Sequence, residues 1–256
     1  MAVHEVARRG FDTGADAYER GRPSYPPDAV AWLIEHCAIH PGACVCDLAA
    51  GTGILTRLLT PTGASVIAVE PVAGMRRVLE ATLPDVPVLA ATAEALPFAD
   101  GSLDVVTVAQ AFHWFDSRRA FDELGRVLRV GGVVGLIWNA RDRSVHWVDT
   151  LWSIMDRVEK RAPWRDHERW SDSVLGERRG FGVLHEAVFC HSQVLSHADV
   201  LARCASVSHV AVLPEIERAA VLDEIRHLLV TSPETAGCPE LAIPYRVDAY
   251  WCERLA

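Results

Sequence analysis

Lysine is almost missing from this chain. Of its 25 basic side chains only Lys160 is a lysine, and arginine supplies the rest. Positive charge as a whole is in deficit, with 34 Asp and Glu against 25 Lys and Arg, a formal net charge of −9. A protein that grips nucleic acid neutralises phosphates with a basic surface, and anionic lipid asks for the same, so neither nucleic acid nor membrane is the expected partner. Long apolar runs are also lacking, since none approaches the ~18 residues that span a bilayer. Residues Met1 to Phe11 carry His4, Glu5, Arg8 and Arg9 and lack the apolar stretch of a secretory leader. Cysteine forms no framework: the seven are odd in number and scattered, which suits a reducing compartment and makes the cytoplasm the expected location. Cys44-Val45-Cys46 has the look of a metal pair. Without a second pair or a nearby His cluster it reads as two residues packing on one strand face, and no metal is expected. Internal repeats and low-complexity tracts are absent from the sequence as well.

What is present is a globular composition, 50% hydrophobic and 23% charged, over a length of 256 residues that can bury a full core as one domain, 1–256. Residues 1–40 read as an N-terminal cover and a first helix starting near Pro27 and Asp28. From 43 to 140 apolar runs alternate with helical patterns. Strands are expected at 43–47, 65–70, 86–90, 103–109 and 133–139, and helices at 53–59, 73–82 and 117–128. That alternation predicts βαβ units, hence a parallel sheet with helices on both faces. Residues 141–183 break the pattern. Together with Trp138 they hold five of the eight tryptophans (Trp138, Trp147, Trp152, Trp164, Trp170), and their charge is near neutral. They read as an insertion after the fifth strand, a helical lid. Residues 184–256 return to the sheet, with strands expected at 185–196 and 242–252 and helices at 198–206 and 215–230.

The turn after the first strand, Asp47-Leu48-Ala49-Ala50-Gly51-Thr52-Gly53, is built of small residues that let backbone N–H groups approach a ligand. A dinucleotide fingerprint would want a further small residue where Thr56 stands, and a phosphate-binding P-loop would need a Gly-Lys-Ser/Thr that never comes. Glu70 ends the second strand, where an acid can accept both ribose hydroxyls of a nucleoside. Met75 follows it by five residues, Thr92-Ala93-Glu94 follows the third strand, and Val130-Gly131-Gly132 precedes the fifth.

With these motifs in this order, the sequence resembles the class I S-adenosylmethionine-dependent methyltransferases of the type 11 group. The segments Tyr18…Arg22-Pro23-x-Tyr25-Pro26, Gln110-Ala111-Phe112-His113-Trp114-Phe115 and Trp138-Asn139-x-Arg141-Asp142 are similar to those of trans-aconitate methyltransferase-like proteins. The resemblance implies a seven-stranded, mostly parallel Rossmann-like sheet with an antiparallel last strand, and S-adenosylmethionine as cofactor. It implies that Asp47, Ala49, Gly51 and Gly53 surround the methionine moiety, that Glu70 holds the ribose, and that Pro71 and Met75 pack on the adenine. Thr92, Ala93 and Glu94 would meet the adenine edge. Gln110, Ala111 and Phe112 would lie beside the sulfonium, with Tyr18 and Arg22 at the cofactor carboxylate. The chain departs from the family pattern twice: Ala49 replaces the usual first glycine, and Thr92 stands where an aspartate is common.

Methyl transfer is an in-line displacement governed by alignment and exclusion of water. A carboxylate acceptor needs no base, whereas a hydroxyl does, and His113 is the candidate catalytic residue. Tyr25, Trp114, Trp138, Arg141 and Trp147 are the candidate substrate contacts. For Trp147 the competing reading is the buried stripe of an amphipathic helix. The expected function is methylation of a small molecule, a carboxylate or a natural-product oxygen, by a monomer or homodimer. Two alternatives stand beside it, a cyclase using the cofactor as scaffold and a non-catalytic cofactor-binding subunit.

Overall fold

The alternating apolar runs become seven strands of one sheet: β1 (Cys44–Leu48), β2 (Ser65–Val69), β3 (Val88–Leu89), β4 (Leu103–Ala109), β5 (Leu128–Arg141), β6 (His185–Leu195) and β7 (Leu241–Glu253). Their spatial order is β3-β2-β1-β4-β5-β7-β6. The pairs from β3 through to β5 are parallel, and β7 runs antiparallel between β5 and β6. This is the expected sheet, with the last strand inserted beside β5 rather than added at the edge. The computed structural model describes residues 15, 19, 21–159 and 178–256.

The helices are α1 (Pro27–His36), α2 (Thr56–Leu59), α3 (Ala73–Thr82), α4 (Ser117–Val127), α5 (His146–Glu159), α6 (His197–Ala205), α7 (Ser208–Ala211) and α8 (Glu215–Thr231). α1 opens with Pro27 at its first position, where no intrahelical N–H is needed, and buries Ala29, Val30 and Leu33. α4 opens on Asp116, whose carboxylate accepts the Arg119 N–H, and buries Ala120, Phe121, Leu124 and Val127. The two helices cover opposite faces of the sheet. Cys46, Val106, Val134 and Leu136 pack with α4, and Val45, Val105, Val133 and Ile137 pack with α1. No helix among the described residues is long and apolar enough to cross a membrane.

Three boundaries differ from the sequence expectation, each for a local reason. The helix expected over 53–59 shrinks to α2, because positive φ at Gly51 and Gly53 (60° and 89°) prolongs the turn before it. A 3-10 turn, Thr60–Thr62, ends it at the left-handed Gly63. β5 begins at Leu128 rather than 133, because the Gly131-Gly132 pair forms an irregularity inside the ladder: Leu103 pairs with Leu128, but Val105 already pairs with Val133. β3 is only Val88–Leu89.

The described parts of the insertion are 141–159, mostly α5, and 178–183, where Phe181 pairs with Arg254 and packs into the core beside α4. Trp147, Val148, Leu151, Trp152, Ile154, Met155 and Val158 are all buried on one side of α5, in a third core built with Val200 and Cys204 of α6, Ile225 and Leu229 of α8, and Leu241, Ile243 and Tyr245 of β7. The rest of the expected lid, 160–177, with Trp164 and Trp170, lies outside the described residues.

Candidate functional site

The chain starts the sheet at its middle, winds outward through β2 and β3, then crosses back to β4 and β5. At such a reversal the connections leaving β1 and β4 go to opposite faces, and a crevice opens beyond their carboxyl ends. Two adjoining cavities occupy that crevice. The smaller, about 100 Å³, is lined by Glu70, Pro71, Val72 and Met75 after β2, and by Thr92, Ala93 and Glu94 after β3. Ala111 and Phe115 close it from the β4 side. The larger, about 460 Å³, takes Arg22 and Tyr25 from the N-terminal segment, His113 after β4, and Trp138 and Arg141 from β5. Ala49, Gly51, Ala109, Gln110 and Trp114 line both, so the two compartments meet at the ends of β1 and β4.

Backbone strain is concentrated at that meeting point. Only Ala38, Ala49 and Gln110 have positive φ among the described non-glycine residues, and the last two (55° and 57°) line both cavities. Such conformations cost about 1–3 kcal/mol each and persist where the surroundings impose them. Gly51, at φ 60°, has no atom within 4 Å of where a Cβ would stand, so its backbone faces open space.

Below the turn, Asp47 is fully buried. Its carboxylate accepts the Thr56 hydroxyl at 2.6 Å and the Thr107 hydroxyl at 3.0 Å, tying the start of α2 to β4. Burial raises its pKa to about 6 against these hydrogen bonds. Glu70 is 5% exposed. Its Oε2 accepts the Gly51 N–H at 2.9 Å and its Oε1 the Val72 N–H at 2.8 Å. Burial lifts it to about 7, opposed by these two N–H donors and by Arg76. Each oxygen keeps a lone pair for a further donor.

Most of the expected site residues line the two cavities, and four of the described ones, Asp47, Gly53, Phe112 and Trp147, do not. Asp47 and Gly53 line neither cavity: Asp47 lies under the turn, and Gly53 packs against Leu79 and Leu83, where a Cβ would come within 3.1 and 3.2 Å. Phe112 points away from the crevice, fully buried against Phe115 and Phe121, each with ring centroids 5.2 Å off. It is core, because the 3-10 turn Phe112–Trp114 turns successive side chains to different sides, and His113 and Trp114 take the cavity. Trp147 is likewise core, 4% exposed inside the stripe of α5. Glu94 lines the smaller cavity while its carboxylate accepts the Asp116 N–H at 3.0 Å. Gln110 donates through Nε2 to the Asn139 carbonyl at 3.3 Å, which fixes the seam between the cavities. Arg141 is paired with Asp156 at 2.9 Å, and its guanidinium stacks 4.3 Å from the centre of Trp152. Tyr18 lies outside the described residues.

Sequence reasoning missed one wall of the larger cavity: Arg203 and Val207 from the α6–α7 region, and Tyr245, Asp248 and Tyr250 from β7. An arginine on the apolar side of α6, between Val200 and Cys204, was the available signal.

The residues fit a nucleoside bearing an amino-acid tail. The smaller cavity pairs an acid suited to a diol with apolar Pro71, Val72 and Met75 suited to a flat base, and the open backbone at Gly51 leads into the larger one.

Comparison with known proteins agrees with that chemistry. The family described as "Methyltransferase domain" matches residues 46–136. An uncharacterized methyltransferase of Mycobacterium tuberculosis is 41% identical over 92% of this chain and 91% of its own length. An uncharacterized methyltransferase-like protein of Schizosaccharomyces pombe is 32% identical over 98% of each chain. Among solved structures, one described as a type II methyltransferase, from Anaeromyxobacter dehalogenans, superposes with a TM-score of 0.63 at 27% identity, covering 91% of this chain and 97% of that one.

Proposed function

Since the chain belongs to the class I S-adenosylmethionine-dependent methyltransferases, we propose that it methylates an oxygen of a small organic molecule, a carboxylate or a natural-product hydroxyl, held in the larger compartment. The observation that carries this reading is the pair of cavities meeting at Ala49, Gly51, Ala109, Gln110 and Trp114: one has the chemistry of a nucleoside site, and the other has room for an acceptor. When bound, S-adenosylmethionine supplies an electrophilic methyl group.

The chain's own residues then have separable tasks. Glu70 accepts the ribose hydroxyls on the lone pairs that Gly51 and Val72 leave free. Pro71 and Met75 cover the base, with Thr92, Ala93 and Glu94 along its edge. The Gly51 backbone and the strained Ala49 and Gln110 leave space for the tail, whose carboxylate Arg22 receives. Tyr25, Trp114 and Trp138 wall the acceptor and exclude water. Arg141, held by Asp156 and Trp152, shapes that wall. His113 packs against Trp114, with ring centroids 4.7 Å apart and the planes tilted by 38°, and is the residue assigned to take the proton of a hydroxyl acceptor. The cytoplasm is the location proposed for this reaction.

Calorimetric titration with S-adenosylhomocysteine, followed by an assay of its release from S-adenosylmethionine over a panel of organic acids and phenols, tests the reading. The expected result is binding in the micromolar range and turnover with at least one acceptor. His113→Ala should lower kcat on a phenol about a hundredfold while leaving S-adenosylhomocysteine affinity unchanged. Absence of cofactor binding would refute the assignment, and full turnover by the His113 variant would remove the proton-acceptor role.

A further inference from the structure

Arg203 is the anomaly of the larger cavity. It sits on α6 and is 5% exposed. Among the described residues its Nε and Nη1 have no hydrogen-bond partner, and the guanidinium makes no ion pair. A guanidinium carries five N–H donors and cannot shed its charge, so leaving it buried and unpaired is costly unless something else enters to meet it. Other arginines of the described chain do have carboxylate partners. Arg141 has Asp156, Arg143 has Asp149 and Asp156, and Arg246 holds Asp248 with two bonds of 2.8 Å.

The surroundings sharpen the point. Three arginines line this cavity, Arg22, Arg141 and Arg203, against one carboxylate, Asp248, which Arg246 has already engaged. Burial holds the Cys204 thiol at about 11, and the charges of Arg203, Arg141 and Arg22 draw it downward. Arg203 sits 5.7 Å from the ring centre of Trp152, the ring on which Arg141 stacks. Arg203, Val207 and Tyr245 line only the larger compartment and take no part in the smaller one. The cavity thus holds one buried guanidinium, Arg203, without an ion pair among the described residues, between aromatic walls.

We propose that Arg203 is the anchor for an organic carboxylate on the acceptor, so that the substrate is an aromatic or similarly flat acid bound by a planar two-oxygen contact on the guanidinium. This rests on the methyltransferase reading of the same crevice and adds the substrate class to it. A guanidinium fork matches the two oxygens of a carboxylate, and Trp138, Tyr245 and Tyr250 offer the apolar faces that a flat body needs. Arg22 is left to the carboxylate of the cofactor.

The test uses the full chain loaded with S-adenosylhomocysteine. Benzoate, 4-hydroxybenzoate and caffeate are each titrated against the corresponding primary amide. At least one acid is expected to bind about tenfold to a hundredfold more tightly than its amide, the range for charge-assisted hydrogen bonds. Arg203→Met should abolish that preference, Arg203→Lys should restore part of it, and both should bind S-adenosylhomocysteine within about twofold of the wild type. Equal binding of acid and amide, no binding of any acid at millimolar concentration, or a preference that survives in Arg203→Met would each overturn the proposal. Equal weakening of acid and S-adenosylhomocysteine by Arg203→Met would also overturn it, by giving the guanidinium to the cofactor's own carboxylate. If Arg203→Met does not fold, the acid–amide comparison in the wild type and in Arg203→Lys decides. Failure of the wild type to bind S-adenosylhomocysteine is a separate outcome, which removes the methyltransferase reading itself.

Discussion

Glu70 meets two opposed demands at the residue scale. Burial favours its neutral form and lifts its pKa to about 7, while the Gly51 and Val72 N–H groups favour the carboxylate. A diol donating to the same oxygens adds to the second side and lowers the pKa, so cofactor binding should release protons near neutrality. Titration with S-adenosylhomocysteine at about pH 7, in two buffers of different ionisation enthalpy, should show release approaching about half a proton per site. Glu70→Gln should abolish the buffer dependence and weaken binding about tenfold or more. Identical heats in both buffers would argue against a diol on this carboxylate. The position of Glu70 at the end of β2 was legible from its place after Val66-Ile67-Ala68-Val69, because an acid closing an apolar strand has few structural uses. Asp47 was equally visible, but not the direction of its carboxylate. Its type and spacing said "near the turn", but whether its carboxylate looked up at a ligand or sideways at Thr56 and Thr107 depended on β4, 60 residues away.

The element that most changes the reading of the sequence is α5. Its tryptophans suggested substrate contacts, and periodicity alone left the amphipathic alternative open. The face that carries Trp147 and Trp152 is covered by α6, α8 and β7, which follow it in the chain by about 40 residues or more, so no local pattern could show the covering. Trp147→Ala should therefore cost about 3–5 kcal/mol of stability and lower Tm on the order of 10 °C. It should leave S-adenosylhomocysteine affinity and acceptor preference as they are in the folded protein. Calorimetric melting beside a binding titration checks this, and a selective change in acceptor preference would return Trp147 to the substrate site. Phe112 makes the same point on a smaller scale. It belongs to a motif that faces the crevice, yet one step along the 3-10 turn sends it into the core against Phe121.

Over the whole molecule, charge and protonation pull together. Asp47 and Glu70 are acids raised by burial to about 6 and about 7. The folded chain therefore binds more protons than the unfolded one from their ordinary values of 3.8 and 4.5 upward. Their contribution is fully present below that window and is lost as pH rises through 6 and 7. His191 acts in the other direction, because burial lowers its pKa from 6.5, but its effect is complete above that value. The formal charge of −9 adds repulsion as pH rises. The ligand-free protein should thus melt at lower temperature at about pH 8 than at about pH 6, and the rise in Tm on adding S-adenosylhomocysteine should be larger at the higher pH. Glu70→Gln should flatten this difference. A Tm that climbs from pH 6 to pH 8 in the free protein would contradict the burial of these two acids.

The sequence by itself determined the strand and helix alternation through β5 and a turn suited to a nucleoside, from local signals: apolar strands, small residues in one turn, and an acid at one strand end. The cofactor and the antiparallel last strand came from the order of its motifs, through the family they resemble. Only the tertiary structure decided which side chains of those motifs reach the cavity and who supplies the far wall. β7 slots between β5 and β6, and α6 packs over it, bringing Arg203, Tyr245 and Asp248 to residues that lie more than 50 positions earlier in the chain. That the Arg203 guanidinium is buried with its Nε and Nη1 unmet among the described residues is a property of that packing, since its cost depends on which partners surround it.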